Sequence, residues 1–196
     1  MANLISLATY KDLAGITATT NDFQLSSLID SVSQLVKTYC GSSIIDYYST
    51  NMVETLNINW DMHMIQLTET PINTIISVEE RSSYNSQYIT LTPEAFQYYF
   101  DPTTDSIFRT TGANSYINWA NGPGAVRVTY TAGYAETPLD LRLAVVDLVT
   151  YYFKGEHKQR QTLAGATIQN PGSASVRNSV AFPDHIKRVL DLYKNF

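Results

Sequence analysis

The stretch Val126–Phe153, VRVTYTAGYAETPLDLRLAVVDLVTYYF, decides the fold. Val126, Val128 and Tyr130 alternate with Arg127 and Thr129, the period of a half-buried strand. Thr137 and Pro138 then mark a helix start, Thr as the cap and Pro at the first position. Beyond them the apolar residues fill two faces of a helix. Leu139, Leu143, Val146, Val149 and Phe153 share one, and Leu141, Val145, Leu148 and Tyr152 share the other. Only a narrow stripe with Asp140, Asp147 and Lys154 is polar. A helix apolar nearly all round must be covered nearly all round. Either the rest of the chain wraps it, or a second subunit covers the Leu141, Val145, Leu148 and Tyr152 face.

Upstream of this stretch the period of two persists. Leu56, Ile58 and Trp60 alternate with Thr55, Asn57 and Asn59, and short strand-like segments follow at 64–67, 75–79, 88–91, 98–100 and 107–109. Turn chemistry separates them at Asp101-Pro102 and Asn121-Gly122-Pro123-Gly124, the latter expected as a hairpin turn. Residues 51–135 therefore read as an antiparallel β-subdomain. The first 50 residues are helical. A short piece around Tyr10–Leu13 ends at Gly15. A longer helix follows, with Asn21 and Gln24 placed for a capping box and Gly41 at the end. In it Leu25, Leu28, Ile29, Val32, Leu35, Val36 and Tyr39 form one stripe. The fold class is α+β: N- and C-terminal helices forming a helical body, with the β-subdomain inserted before a central helix at 136–154.

Downstream, residues 155–181 have no sustained period and contain Gly155, Gly165, Pro171 and Gly172. Loops beyond about 12–15 residues are uncommon in compact domains and are often functional. A last amphipathic helix follows, with Pro183 and Asp184 in its first turn. Ile186, Val189, Leu190 and Tyr193 form its apolar stripe, with Lys187, Arg188 and Lys194 facing away. Residues 155–196 thus form an extended arm able to carry this helix onto another molecule.

Composition narrows the function. The 196 residues carry 13 Lys plus Arg against 18 Asp plus Glu, a net charge of −5, and only 16% are charged. The apolar runs fall short of the roughly 18 residues a membrane span needs. The start MANLIS lacks the basic and apolar regions of a signal peptide. A single cysteine, Cys40, excludes an internal disulfide and a multi-cysteine zinc site. Fourteen Tyr and seven Phe with so little charge fit a surface largely covered by neighbours; a Tyr- and Thr-rich β-domain of light charge fits them equally. Charge is also uneven, six basic against fifteen acidic groups in residues 1–149 and seven against three thereafter. An acidic body with a basic arm implies that the arm docks on something acidic.

Chemistry is sparse. His63, His157 and His185 form no ligand pair, Asp61-x-His63 lies in bulky apolar sequence, and no Ser sits in a GxSxG elbow. Cys40 closes a helix as a small packed residue. Glu69 and Glu79-Glu80 read as solvated strand ends. No catalytic residue, metal or cofactor is expected. The basic groups Lys154, Lys158, Arg160, Arg177, Lys187 and Arg188 are spread widely with few aromatics between, which favours protein docking over nucleic acid. With them, Ile186, Val189, Leu190, Tyr193 and Phe196 complete the candidate arm interface. A β-rich tail component binding carbohydrate, or another tail protein, through Trp60, Trp119 and neighbouring tyrosines is the alternative.

The 126–153 stretch resembles the head–tail connector (adaptor, or head-completion) family of tailed bacteriophages, in which V-x-V-x-Y-x-x-G-Y leads through a Pro-containing turn into an apolar helix. ATYKDLAGI, LSSLIDSVSQLVKTYCG and TPINTIISV extend the likeness. The resemblance implies a structural virion protein made in the host cytoplasm and placed at the neck. It implies a homo-oligomeric ring, usually twelve-fold, attached beneath the portal protein, extending the DNA channel and offering a platform for tail or stopper. Double-stranded DNA would pass through the lumen without specific binding, which an acidic body suits.

Overall fold

The computed structural model describes residues 2–112, 115–155, 161–163, 166–168 and 182–194. The chain divides into two compact units, one of residues 1–42 with 136–196 and the other of residues 43–135.

The first unit is helical. Helix α1 (Leu7–Ala14) starts at Ser6, whose hydroxyl accepts the Thr9 N–H at 3.0 Å, and ends at left-handed Gly15. Helix α2 (Asp22–Cys40) ends at Gly41, φ 69°, whose N–H reaches Lys37 O. Asn21 precedes α2 as expected, but its side chain makes no cap hydrogen bond, so the capping box does not form. Helix α3 (Leu139–Phe153) begins one residue late: Pro138 is the cap position, and the Thr137 hydroxyl instead donates to Leu4 O at 2.6 Å. Helix α4 (Asp184–Asp191) packs on α2 and α3. Leu25, Ile29, Val32 and Val36 of α2, Leu141, Val145, Leu148 and Val149 of α3, and Ile186 and Leu190 of α4 are all buried. This is the stripe pattern of three amphipathic helices sharing one core. Tyr10 joins α1 to it through a 3.1 Å hydrogen bond to the Thr150 hydroxyl. Within 155–181, read as a stretch with no sustained period, strands β8 (Gln161–Leu163) and β9 (Ala166–Ile168) pair antiparallel.

The second unit is antiparallel β throughout. One sheet has the order β1-β7-β3-β4: β1 (Met52–Ile58), β3 (Ile72–Glu80), β4 (Ile89–Leu91) and β7 (Gly122–Ala132). The other has the order β2-β6-β5: β2 (Met64–Gln66), β5 (Tyr98–Asp101) and β6 (Ser106–Arg109). Central β7 buries Val126, Val128, Tyr130 and Ala132 and leaves the alternating Arg127, Thr129 and Thr131 half-buried. These meet Ile58, Ile65, Val78, Ile107 and Trp119 in one core.

Two local expectations fail. Gly122-Pro123-Gly124 is the first part of β7 rather than a hairpin turn, and Gly122 pairs with Ile58. Arg81 explains the second glycine: its guanidinium donates to Pro123 O and Gly124 O, and a Cβ on Gly124 would stand 2.5 Å from it. Trp60 does not continue β1, which stops at Ile58 after a register shift. No helix among the described residues is long and apolar enough to cross a membrane.

Candidate interaction surfaces

On α3 the second face named above turns inward. Leu141, Val145 and Leu148 have no exposed surface within the single chain, and Tyr152 is half-buried. Within the single chain the exposed apolar groups of α3 lie elsewhere. Leu139 is 76% exposed and Leu143, one turn on, 59%. Both belong to the first face, whose Val146 and Val149 are buried. Just beyond α4 the Tyr193 hydroxyl donates to Asp140, in the polar stripe of α3, at 2.6 Å, and that hydrogen bond holds the Asp140 carboxyl below its ordinary range.

The arm helix packs on α2 and α3 of its own unit. Ile186 and Leu190 are buried, and Val189 and Tyr193 are half-buried. At its end Tyr39 donates to Asp191 at 2.6 Å, Cys40 Sγ lies 3.7 Å from Leu190 O, and Lys194 sits over the Tyr39 ring. The amphipathic stripe is thus satisfied by α2 and α3, because a short strongly amphipathic helix finds its apolar cover in the core of its own chain. Lys154, Lys187 and Arg188 stay exposed. Lys158, Arg160, Arg177 and Phe196 lie outside the described residues.

Residues with chemical potential are engaged in holding the fold. Burial, with the Asp191 charge added, pushes the Cys40 thiol up to about 11. Asp61 accepts from Asn121, and His63 lies against the Phe108 and Tyr116 rings. Among the described residues no group of three or more His, Cys, Asp or Glu is placed to hold a metal ion. The carboxylates expected at solvated strand ends carry structural bonds instead. Glu80 Oε2 takes Nε and Nη2 of Arg109 at 3.1 and 2.9 Å while Oε1 accepts the Ala120 N–H. Glu79 pairs with Arg127 at 2.5 Å, and Glu69 accepts the Ser43 N–H and hydroxyl. Sequence spacing gave no sign of these pairings, since their partners lie 26 to 48 residues away. The tryptophans part company: Trp119 is 2% exposed beneath the Arg109 guanidinium, whereas Trp60 is 66% exposed.

A helical unit interrupted by an antiparallel β unit, with Glu79 and Glu80 held in internal ion pairs and Lys154, Lys187 and Arg188 left exposed, defines an α+β protein. The chain belongs to the head completion protein family, whose model matches residues 3–196. It is 31% identical over 72 residues to the head completion protein of Escherichia phage T5, a match covering 36% of this chain and 39% of that protein. Its fold is similar to a chain in the neck of an empty gene transfer agent particle computed with C6 symmetry (TM-score 0.60, 16% identity, 98% of this chain and 90% of the other). It is also similar to one in the neck of the native particle computed with C12 symmetry (TM-score 0.58, 15% identity, 100% and 94%).

Proposed function

We propose that this chain is a ring-forming structural adaptor of the virion neck, bound beneath the portal, that extends the DNA channel and seats the tail or a stopper. Its part is mechanical and not enzymatic. Family membership over residues 3–196 carries this reading. The helical segments 1–50 and 136–154, with the arm 155–196, build the ring in this proposal, and the β-subdomain 51–135 decorates it. Leu139 and Leu143 are the subunit contact on α3: two exposed leucines one turn apart on a helix otherwise filled are best covered by a neighbouring copy. Lys154, Lys187 and Arg188, with Lys158, Arg160, Arg177 and Phe196, remain the arm groups proposed to meet the portal or a neighbouring subunit. The acidic excess of residues 1–149 suits a lumen along which DNA phosphates slide without sticking.

Electron microscopy of the purified chain mixed with purified portal rings tests the proposal. A collar of added density on one face of the portal is expected; bare portal rings at saturating chain would reject it. The exposed Trp60 is the observation that favours the second reading, a tail component binding carbohydrate or another tail protein. Glycan binding lost on Trp60→Ala, with no portal attachment, would establish that reading instead.

A further inference from the structure

In the β unit, the three-stranded sheet ends at β5, whose outer edge pairs with no other strand among the described residues. Thr110 N–H donates to Gln97 O and Tyr99 stands opposite Phe108, so the main-chain groups of Tyr98 and Phe100 point to that free edge. Beside it lies a pocket of about 840 Å³, lined by Ile75, Phe96, Tyr98, Tyr99, Phe100 and Tyr116 among others. Strand alternation sends Tyr98 and Phe100 to one face and Tyr99 to the other, so aromatic rings flank the edge on both sides. Phe96 and Tyr99 are both more than half exposed. Phe96 is held at φ 54°, a conformation unfavourable for a bulky residue. Its N–H donates to Pro93 O, and its own carbonyl accepts the Thr110 hydroxyl at 2.7 Å. This left-handed position places Phe96 among the residues that line the pocket.

We propose that this edge and pocket bind an uncharged, extended polypeptide segment of another protein, which adds a strand to β5 and seats an aromatic or aliphatic side chain among the rings. Free main-chain groups at two-residue spacing match a strand. No Asp, Glu, Lys, Arg or His is among the described lining residues, so an ionised side chain seated among the rings would lose its water and meet no counter-charge in the lining; Glu94, whose charge acts on the Tyr98 hydroxyl, stands outside it. The volume falls within the range of built ligand sites and exceeds what one ring fills. Two β5 edges pairing with each other would instead close a two-fold dimer. This inference stands apart from the neck assignment, since it concerns the β unit alone.

The test uses the full chain and a pool of blocked heptapeptides with Tyr, Phe, Val or Ile at alternate positions and Thr or Ser between. Saturable binding is expected, with slowed hydrogen exchange at the Tyr98 and Phe100 amides. Tyr99→Ala and Phe96→Gly should each weaken it about tenfold. Tyr99→Ala should leave the melting temperature unchanged, and peptides with Lys at the alternate positions should not bind. Unaltered exchange at saturating peptide overturns the proposal. So does binding of maltoheptaose with those amides unprotected, or protection without peptide that tracks dimer formation in ultracentrifugation.

Discussion

The backbone carbonyl of Ile44 occupies the space that a side chain on Gly133 would need: a Cβ there would lie 2.2 Å from the Ile44 oxygen. Both residues have positive φ, 90° at Gly133 and 68° at Ile44. The same oxygen accepts the Tyr134 N–H at 2.8 Å, and Gly133 N–H donates to Pro71 O. Gly133 lies just after β7 and Ile44 is the second residue of the β unit, so this contact ties together the two ends of that unit. Only a residue without Cβ permits it.

Gly133→Ala is therefore expected to destabilise the β unit by about 3 kcal/mol, because a wrong backbone conformation and a clash with main chain combine. Gly15→Ala makes the control. Gly15 also has positive φ but open space around it, so about 1 kcal/mol is expected. Urea midpoints followed by Trp119 fluorescence and by helical circular dichroism separate the two.

The two faces of α3 predict opposite phenotypes. Val145→Asp buries a carboxylate with no surface to reach and should cost about 4 kcal/mol or more, unfolding the helical unit. Leu143→Glu lies in solvent and should change stability by no more than about 0.5 kcal/mol. It should nevertheless stop ring assembly on portals. Normal assembly by Leu143→Glu would remove that leucine from the contact.

Alkaline pH should loosen the packing of α4 on α2. Burial, then the hydrogen bond and charge of Asp191, raise the Tyr39 hydroxyl from 10.0 to about 12. The Cys40 thiol rises from 9.0 to about 11. Because both folded values exceed the unfolded ones, the unfolded chain releases its protons first. The stability these groups contribute is complete below about pH 9 and declines as pH rises through 9 to 12. Urea midpoints should fall across that window, with a shallower slope in Cys40→Ala. A disulfide reagent at about pH 8 should modify Cys40 only after denaturation.

The two tryptophans should behave as separate probes. In Trp60→Phe the remaining emission, from Trp119, should be blue-shifted and resist acrylamide until the β unit unfolds. Quenching of this variant as strong as that of the unfolded chain would contradict the burial of Trp119.

Local order was written along the chain. The 3.6-residue stripe of α2, the period of two in β7 and the glycines after α1 and α2 each specify an element through contacts a few residues apart, so adjacent residues suffice to reveal them. The family likeness rested on the same local order. What long-range packing decided was where each apolar face goes. Periodicity marks a helix face as apolar but carries no information on whether its own chain or a second one covers it. Only the placement of α2 and α4 against α3 put Leu141, Val145 and Leu148 inside and left Leu139 and Leu143 out. The pairings of Glu80 with Arg109 and of Gly133 with Ile44 join residues separated by 29 and by nearly ninety positions. Charge and backbone contacts of that span are fixed by the folded geometry, because a residue's neighbours in space are set by how the sheets and helices stack.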